Sequence, residues 1–324
     1  GPTQAAAQVE ASKAFAKEFM QRYGIPCAES VTFDSHREAE RFLNNREGPL
    51  VIKADGLAAG KGVTVAQTRA EALEALDACM NHRAFGEAGD RVIVEEFLTG
   101  REVSVFAFTD GRTLSPLAAA CDYKRAHDGD VGPNTGGMGS YSPPEFWDAS
   151  IAREAEATIF RPTVAGLEED GRPYQGVLYG GLILTPQGLK VIEFNARFGD
   201  PEAQVILPLL ETGLAEIGQA IADGDLTKTQ IRWKPGACVG VVMASGGYPG
   251  PYATGFTIRG LDEVGENALI FHAATSLSPD GSVVTSGGRV LTVVGQAPTL
   301  ADARDKAYAA VKRLDFQDAY YRRD

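Results

Sequence analysis

Three segments of this sequence combine residue types that can do phosphate and metal chemistry. Val51-Ile-Lys-Ala-Asp-Gly-Leu-Ala-Ala-Gly-Lys-Gly62 reads as a strand running into a glycine-rich loop that carries Lys53 and Lys61. Such a loop exposes backbone N–H groups to a phosphate, and a lysine adds a compact positive charge. The spacing fails the P-loop pattern, because Gly56 to Lys61 is one residue short and Gly62 stands where Ser or Thr would hold Mg²⁺. Strand periodicity puts Lys53 on the face of Val51, with Leu50, Ile52 and Ala54 turned to the core. The ordinary alternative is a solvated lysine beside a glycine turn.

In Val191-Ile-Glu-Phe-Asn-Ala-Arg-Phe-Gly-Asp-Pro-Glu202 the same period aligns Glu193 and Asn195 on one face and Ile192 and Phe194 on the other. Two hard oxygen ligands then point together, which suits Mg²⁺ bound partly by phosphate and water. Arg197, one pleat further, can hold a carboxylate or phosphate in its planar fork, while Asp200 before Pro201 is equally a helix N-cap candidate. The alternative for Glu193 is an exposed strand face. The third segment pairs Asp122-Tyr-Lys-Arg125 with Gly132-Pro-Asn-Thr-Gly-Gly-Met-Gly139, small residues able to nest an anion beside Lys124 and Arg125. Its alternative is a surface loop with a solvated dibasic pair. Val94-Glu-Glu-Phe-Leu98, ending at a Thr-Gly turn before Arg101 and Glu102, reads as a hinge.

These groups need elements to position them. Apolar residues at helical spacing over 3–23, stopped by Gly24-Ile25-Pro26, predict one helix. A strand over 50–54, a helix over 70–80 and a strand over 91–97 form a compact unit. Strands over 103–108 and 114–119 read as a hairpin about Asp110 and Gly111, and 122–144 as a long functional loop without period. A helix over 152–168, a strand pair over 176–184 and 189–194, and a helix from Glu202 kinked at Pro208 follow. Beyond a boundary near Thr229, strand signals at 238–244, 255–258, 268–273 and 283–294 precede an amphipathic helix over 300–314.

The length of 324 residues suggests about two domains with a large buried core. Thirty-one Lys and Arg against 43 Asp and Glu give a formal charge of −12, which argues against a nucleic-acid backbone as partner. No apolar run approaches the roughly 20 residues of a membrane span, and no signal peptide is read. Cys27, Cys79, Cys121 and Cys238 are scattered, with no CxxC spacing, which fits a reducing cytoplasm. With four His and no G-x-S-x-G elbow, a covalent triad is disfavoured.

Read together, the strings SKAFAKEF from Ser12, VIKADGLAAGKGV from Val51, VEEFLTGRE from Val94, DYKR from Asp122, GPNTGGMGSYSP from Gly132 and VIEFNARFGDPE from Val191 resemble the phosphoribosylamine-glycine ligase (glycinamide ribonucleotide synthetase) family of ATP-grasp ligases. SGGYPG from Ser245 and TSGGRVL from Thr285 extend the resemblance along the whole chain in family order. It implies an α+β ATP-grasp fold, two α+β lobes holding the nucleotide, with a C-terminal β-rich domain. The division is an ATP-grasp body at 1–28 and 99–229, a lid subdomain at 29–98, and a C-terminal domain at 230–324. The family's additional N-terminal α/β domain is absent from this sequence, so the chain is expected to be a fragment in which binding of ATP and Mg²⁺ is a safer expectation than full turnover.

The implied reaction joins glycine to 5-phosphoribosylamine at the expense of ATP, through a glycyl phosphate, in de novo purine synthesis. By the resemblance, Lys13 and Lys53 hold the nucleotide phosphates and Ala59, Gly60, Lys61 and Gly62 cover them. Glu95, Glu96, Phe97 and Leu98 form the adenine hinge, and Glu102 holds the ribose. Glu193 and Asn195 are the Mg²⁺ (or Mn²⁺) ligands, with Arg197 at the γ-phosphate. Asp122, Lys124 and Arg125 join Arg197 as the catalytic set, and Asn134, Thr135, Gly136, Asp200 and Arg289 line the glycine and acceptor pocket. Two departures stand out: no acid lies on 176–184, where many ATP-grasp enzymes have another metal carboxylate, and Arg101 replaces a frequent acid. The expected partners are small molecules, with neither nucleic acid nor membrane, and the chain is expected to be a monomer that could associate with its missing domain. The competing readings are another ATP-grasp carboxylate-amine ligase and a MgATP-binding module without turnover.

Overall fold

The computed structural model of the chain describes residues 1–56 and 62–324. Its elements run α1 (Gln8–Ala11), α2 (Lys13–Arg22), β1 (Ser30–Phe33), α3 (His36–Asn44), β2 (Leu50–Ala54), β3 (Val63–Ala66), α4 (Arg69–Met80), β4 (Val92–Glu96) and β5 (Arg101–Thr109). Then come β6 (Ala118–Asp122), β7 (Arg125–His127), β8 (Val131–Asn134), β9 (Gly139–Ser142), α5 (Ala149–Ala155), α6 (Arg161–Glu169), β10 (Gly176–Thr185) and β11 (Gly188–Asn195). Last are α7 (Ala203–Ile206), α8 (Leu214–Ala222), β12 (Ala237–Ala244), β13 (Leu269–His272), β14 (Thr275–Leu277), β15 (Val283–Thr285), β16 (Arg289–Ala297) and α9 (Leu300–Val311). Two compact units result: 1–117 with 148–197 and 218–229, and 118–147 with 198–217 and 230–324.

In the first unit, β1, β4, β2 and β3 form an antiparallel sheet in that order. Ile52 and Ala54 do face the core, packing with Val92 and Val94 against Ala39, Leu43, Ala72 and Leu76 of the two covering helices. The opposite face carries Val51, Lys53 and Glu95. The same unit pairs β10 antiparallel with both β5 and β11.

The single helix expected over 3–23 is instead broken at Ser12, whose φ of −130° and ψ of 115° are extended. Its hydroxyl accepts from Phe15 N at 3.1 Å and so caps α2, and it donates to Asp55 Oδ1 at 3.1 Å. The competition between serine as helix interior and serine as cap is won by the cap, because a tertiary partner holds it. The turn after β5 is organised by Asp110, whose carboxylate accepts from the N–H groups of Arg112 and Thr113, and it closes with a Thr109–Leu114 bridge. The helix over 149–169 is continuous, with a π-helical turn at Glu156–Phe160. Pro208 sits in a 3₁₀ turn that ends the helix begun at Ala203.

The second unit departs furthest from the elements its sequence predicts. The segment 122–144 holds three strands: β7 and β8 form a short hairpin, and β9 lies between β6 and β12 in the antiparallel order β6, β9, β12, β16, β13. Its strands are too short and too rich in Gly, Pro and Asn to show a period. The strand expected over 283–294 is split at Gly287 and Gly288, where a Cβ on Gly288 would stand 2.2 Å from the Tyr248 ring. Segment 255–258 contributes only a bridge, Thr257–Val284. Helix α9 covers the sheet, with Ala307, Ala310, Val311 and Leu314 packed on Val241, Met243, Val290 and Val293. Among the described residues, no helix is long and apolar enough to cross a membrane.

Candidate active site

The first unit encloses a cavity of about 280 Å³ into which four cations converge, Lys13, Lys17, Lys53 and Arg197, together with Glu10, Glu95, Glu193 and Asn195. Register explains its floor. Val51 lies opposite Glu95 across β2 and β4, so Lys53 is the diagonal neighbour, and its Nζ reaches Glu95 Oε2 at 2.9 Å. Lys17, from α2, lies 3.2 Å from Glu95 Oε1. All three side chains are buried, at 4, 5 and 3% exposure for Lys17, Lys53 and Glu95. Glu95 Oε1 makes no hydrogen bond of good geometry among the described residues. Two cations against one carboxylate leave this wall positive, and burial pulls the pKa of both Lys13 and Lys17 below the usual lysine value despite the nearby carboxylates. Lys13 is aimed by its position just after the Ser12 cap, with Nζ donating to Gly56 O at 2.8 Å.

The opposite wall is the end of β11. Glu193 and Asn195 share a face, Asn195 Nδ2 lying 3.4 Å from Glu193 Oε1, and Arg197 donates to Asn195 Oδ1 at 3.2 Å. Glu10 supports this end by accepting from Ala196 N at 2.8 Å and lying 3.6 Å from Arg197 Nε. The hinge leaves β4 at Glu96, whose carboxylate accepts from Glu29 N and pairs with Lys190 at 2.8 Å, a contact that lowers its pKa. Phe97 and Leu98 follow outside any strand or helix, and Glu102 is exposed on β5. Gly100 is required here, since a Cβ would meet Leu184 O at 2.2 Å. Gly62 O accepts from Ala54 N, while Ala59, Gly60 and Lys61 lie outside the described residues. Lys17 and Glu10 were not anticipated. The i,i+4 spacing of Lys13 and Lys17 puts both on one face of α2, but that spacing does not say that the face is buried.

The second unit gathers the other expected residues. The 122–125 and 134–139 segments lie back to back: Thr135 N and its hydroxyl both donate to Lys124 O, at 2.8 and 2.9 Å, and Met138 N donates to Tyr123 O at 2.7 Å. Lys124 Nζ lies 3.8 Å from Asp122 Oδ1, and Arg125, opposite Asn134, donates to Gly132 O. Arg289 donates to Gly136 O at 2.6 Å and forms a fork with Asp200, its NH2 2.8 Å from Oδ2. Asp200 is therefore no helix cap; Glu202 occupies the N-cap of α7. Gly136 N donates to the hydroxyl of Tyr248, a residue not anticipated although its SGGYPG string was noticed. Gly137, at φ 109°, leaves no room for a side chain beside Pro201. The cluster gathers two cations and an Arg–Asp fork, while the amides of Thr135, Gly136, Gly137 and Met138 donate to Lys124 O, the Tyr248 hydroxyl, Thr135 Oγ1 and Tyr123 O.

Comparison with known proteins agrees with this chemistry. The family model of the phosphoribosylglycinamide synthetase ATP-grasp (A) domain matches residues 11–203, and that of the synthetase C domain matches 238–324. The chain is 49% identical over 324 residues to a phosphoribosylamine–glycine ligase of Caldanaerobacter subterraneus subsp. tengcongensis, covering 100% of this chain and 77% of that protein. It is 50% identical to the trifunctional purine biosynthetic protein adenosine-3 of Bos taurus, covering all of this chain and 32% of that one. The crystal structure of the phosphoribosylamine–glycine ligase of Thermotoga maritima superposes with a TM-score of 0.89 at 36% identity, covering 100% and 81% of the two chains. The biotin carboxylase domain of the Hydrogenobacter thermophilus 2-oxoglutarate carboxylase, at 17% identity, TM-score 0.73 and coverage of 99% and 69%, shares the fold. Matched by both domain models, the chain belongs to the phosphoribosylglycinamide synthetase family and has the α+β ATP-grasp fold.

Proposed function

We infer that the chain carries out the ATP-dependent ligation of glycine to 5-phosphoribosylamine in purine synthesis. The observation that carries this reading is the convergence of Lys13, Lys17, Lys53 and Arg197 on a cavity walled by Glu193 and Asn195, in a family of that activity. A glycine carboxylate oxygen attacks the γ-phosphorus as its bond to ADP breaks. The ribosylamine nitrogen then attacks the acyl carbon of glycyl phosphate, loses a proton, and phosphate leaves. Such chemistry depends on positioning and charge neutralisation rather than on a protein nucleophile.

We assign Lys13 and Lys53 to the nucleotide phosphates, with Glu95 orienting Lys53 through Oε2 and Lys17 through Oε1. The backbone of Glu96, Phe97 and Leu98 reads the base, and Glu102 holds the ribose. Arg197, held by Glu10 and Asn195, stabilises charge on the transferring phosphoryl group. Glu193 and Asn195 fit a Mg²⁺ or Mn²⁺ ion, because both present hard oxygens from one strand face into a cation-rich phosphate cavity. When bound, the ion neutralises phosphate charge. Asp122, Lys124, Arg125, Asn134, Thr135, Gly136, Asp200 and Arg289 are assigned to glycine and the phosphoribosyl acceptor, and 29–98 to the lid subdomain.

ADP release, measured with glycine and ribosylamine each supplied or withheld, tests the reading: release should require glycine, and equal release with a different acid would overturn it. Glu193→Ala should weaken Mg²⁺-dependent nucleotide binding by about 10–100-fold; unchanged binding would remove the metal assignment.

A further inference from the structure

Arg322 belongs to none of the motifs above, yet it is a buried and heavily committed cation of the second unit. It is 4% exposed, and its guanidinium uses four of its five N–H groups. Nε and NH2 grip Asp324 at 2.8 and 2.6 Å, while NH1 donates both to Asp130 Oδ1 and to Arg125 O, each at 3.1 Å. The same group stacks on the Tyr123 ring, 4.6 Å from its centroid. Around it, Gly129 N donates to Asp324 Oδ2 and Arg323 N to Asp128 Oδ1. One side chain thus binds the backbone of Arg125, the far end of the β7–β8 hairpin at Asp130, and the ring lying between Asp122 and Lys124 in sequence. A hairpin of three- and four-residue strands is marginal by itself and takes its orientation from what holds it.

We propose that Arg322 is a positioning residue that sets the β7–β8 hairpin, and with it Lys124, Arg125 and Asn134, in the geometry that binds the anionic acceptor substrate. This rests on the assignment of that hairpin to phosphoribosylamine. A guanidinium is needed, because the planar fork serves two carboxylates and a carbonyl while stacking on a ring, and a lysine ammonium cannot do both.

The test is steady-state kinetics on the intact enzyme with thermal unfolding measured in parallel. Arg322→Lys should raise the KM for phosphoribosylamine about tenfold or more, with the KM for ATP unchanged, as expected when binding of that one substrate is lost. Asp130→Asn, which removes only the exposed partner, should raise the same KM by about threefold, so the inference stays testable if Arg322→Lys folds poorly. Tyr308→Phe removes a hydrogen bond to Arg322 O and spares the fork; it should leave every KM unchanged. Lys124→Ala checks the underlying assignment separately: an unaltered acceptor KM overturns that assignment and this inference with it. If Lys124→Ala raises the acceptor KM while Arg322→Lys and Asp130→Asn do not, or if all substrates are affected alike, or if Tyr308→Phe matches Arg322→Lys, the positioning role is refuted.

Discussion

The two units hold their cations by different means. In the first, Lys17 and Lys53 are nearly dry and share one buried carboxylate, Glu95, so their placement is set by ion pairs on rigid strands and a helix. In the second, the Lys124 side chain is 52% exposed, and its position comes from backbone bonds to Thr135 and from a surrounding frame of Arg–Asp forks. A buried pair is strong only while complete, because removing one partner strands a charge in low dielectric, whereas an exposed pair contributes little to stability. The first unit should therefore link binding to folding, and the second should separate them.

Glu95→Ala probes this difference hardest. It leaves Lys17 and Lys53 buried together without an anion and should cost about 3–5 kcal/mol in denaturant unfolding while abolishing tight MgATP binding. Stability within error of the parent would break the contrast. Arg289→Ala should do the reverse, raising the KM for glycine or the acceptor about tenfold while costing about 1 kcal/mol, since the Asp200 side chain is 54% exposed. A stability loss as large as that of Glu95→Ala would show that the second cluster is also a folding element.

The smallest effect is the pH response of the lysines. Burial lowers the pKa of Lys13 and Lys17, so between those lowered values and the ordinary lysine value the unfolded chain holds more protons than the folded one. Unliganded stability should therefore rise with pH through that window. Phosphate beside the lysines favours their charged form, so MgATP binding should take up protons and weaken over the same range, by less than about tenfold per pH unit for each group. Calorimetry in buffers of different ionisation enthalpy reads the uptake; proton release on binding would contradict the burial argument.

Lys53, Glu193 and Asn195 could be put on their strand faces from sequence because strand periodicity is local, two residues apart meaning one face, whereas Arg197 lies beyond the end of β11 and is held by Asn195 and Glu10. Lys17 could not be placed, since a lysine on a helix is solvated by default and only docking of α2 beside Glu95 buries it. The break at Ser12 has the same origin, because Asp55, 43 residues away, turns a possible helix interior into a cap. Segment 122–144 reads as loop in sequence because β7, β8 and β9 are fixed by partners rather than by their own pattern.

The sequence alone determined the family, the polar residues sharing a strand face and the glycine-rich segments, all of which depend on residue type and short spacing. Tertiary structure decided which charges meet. Glu95 between two lysines, Tyr248 on Gly136 across 112 residues, Arg289 on Gly136 across 153, and Arg322 on Arg125 across 197 are contacts that no local period encodes. Their partners are chosen by how sheets and helices pack, and a buried charge takes its function from that choice.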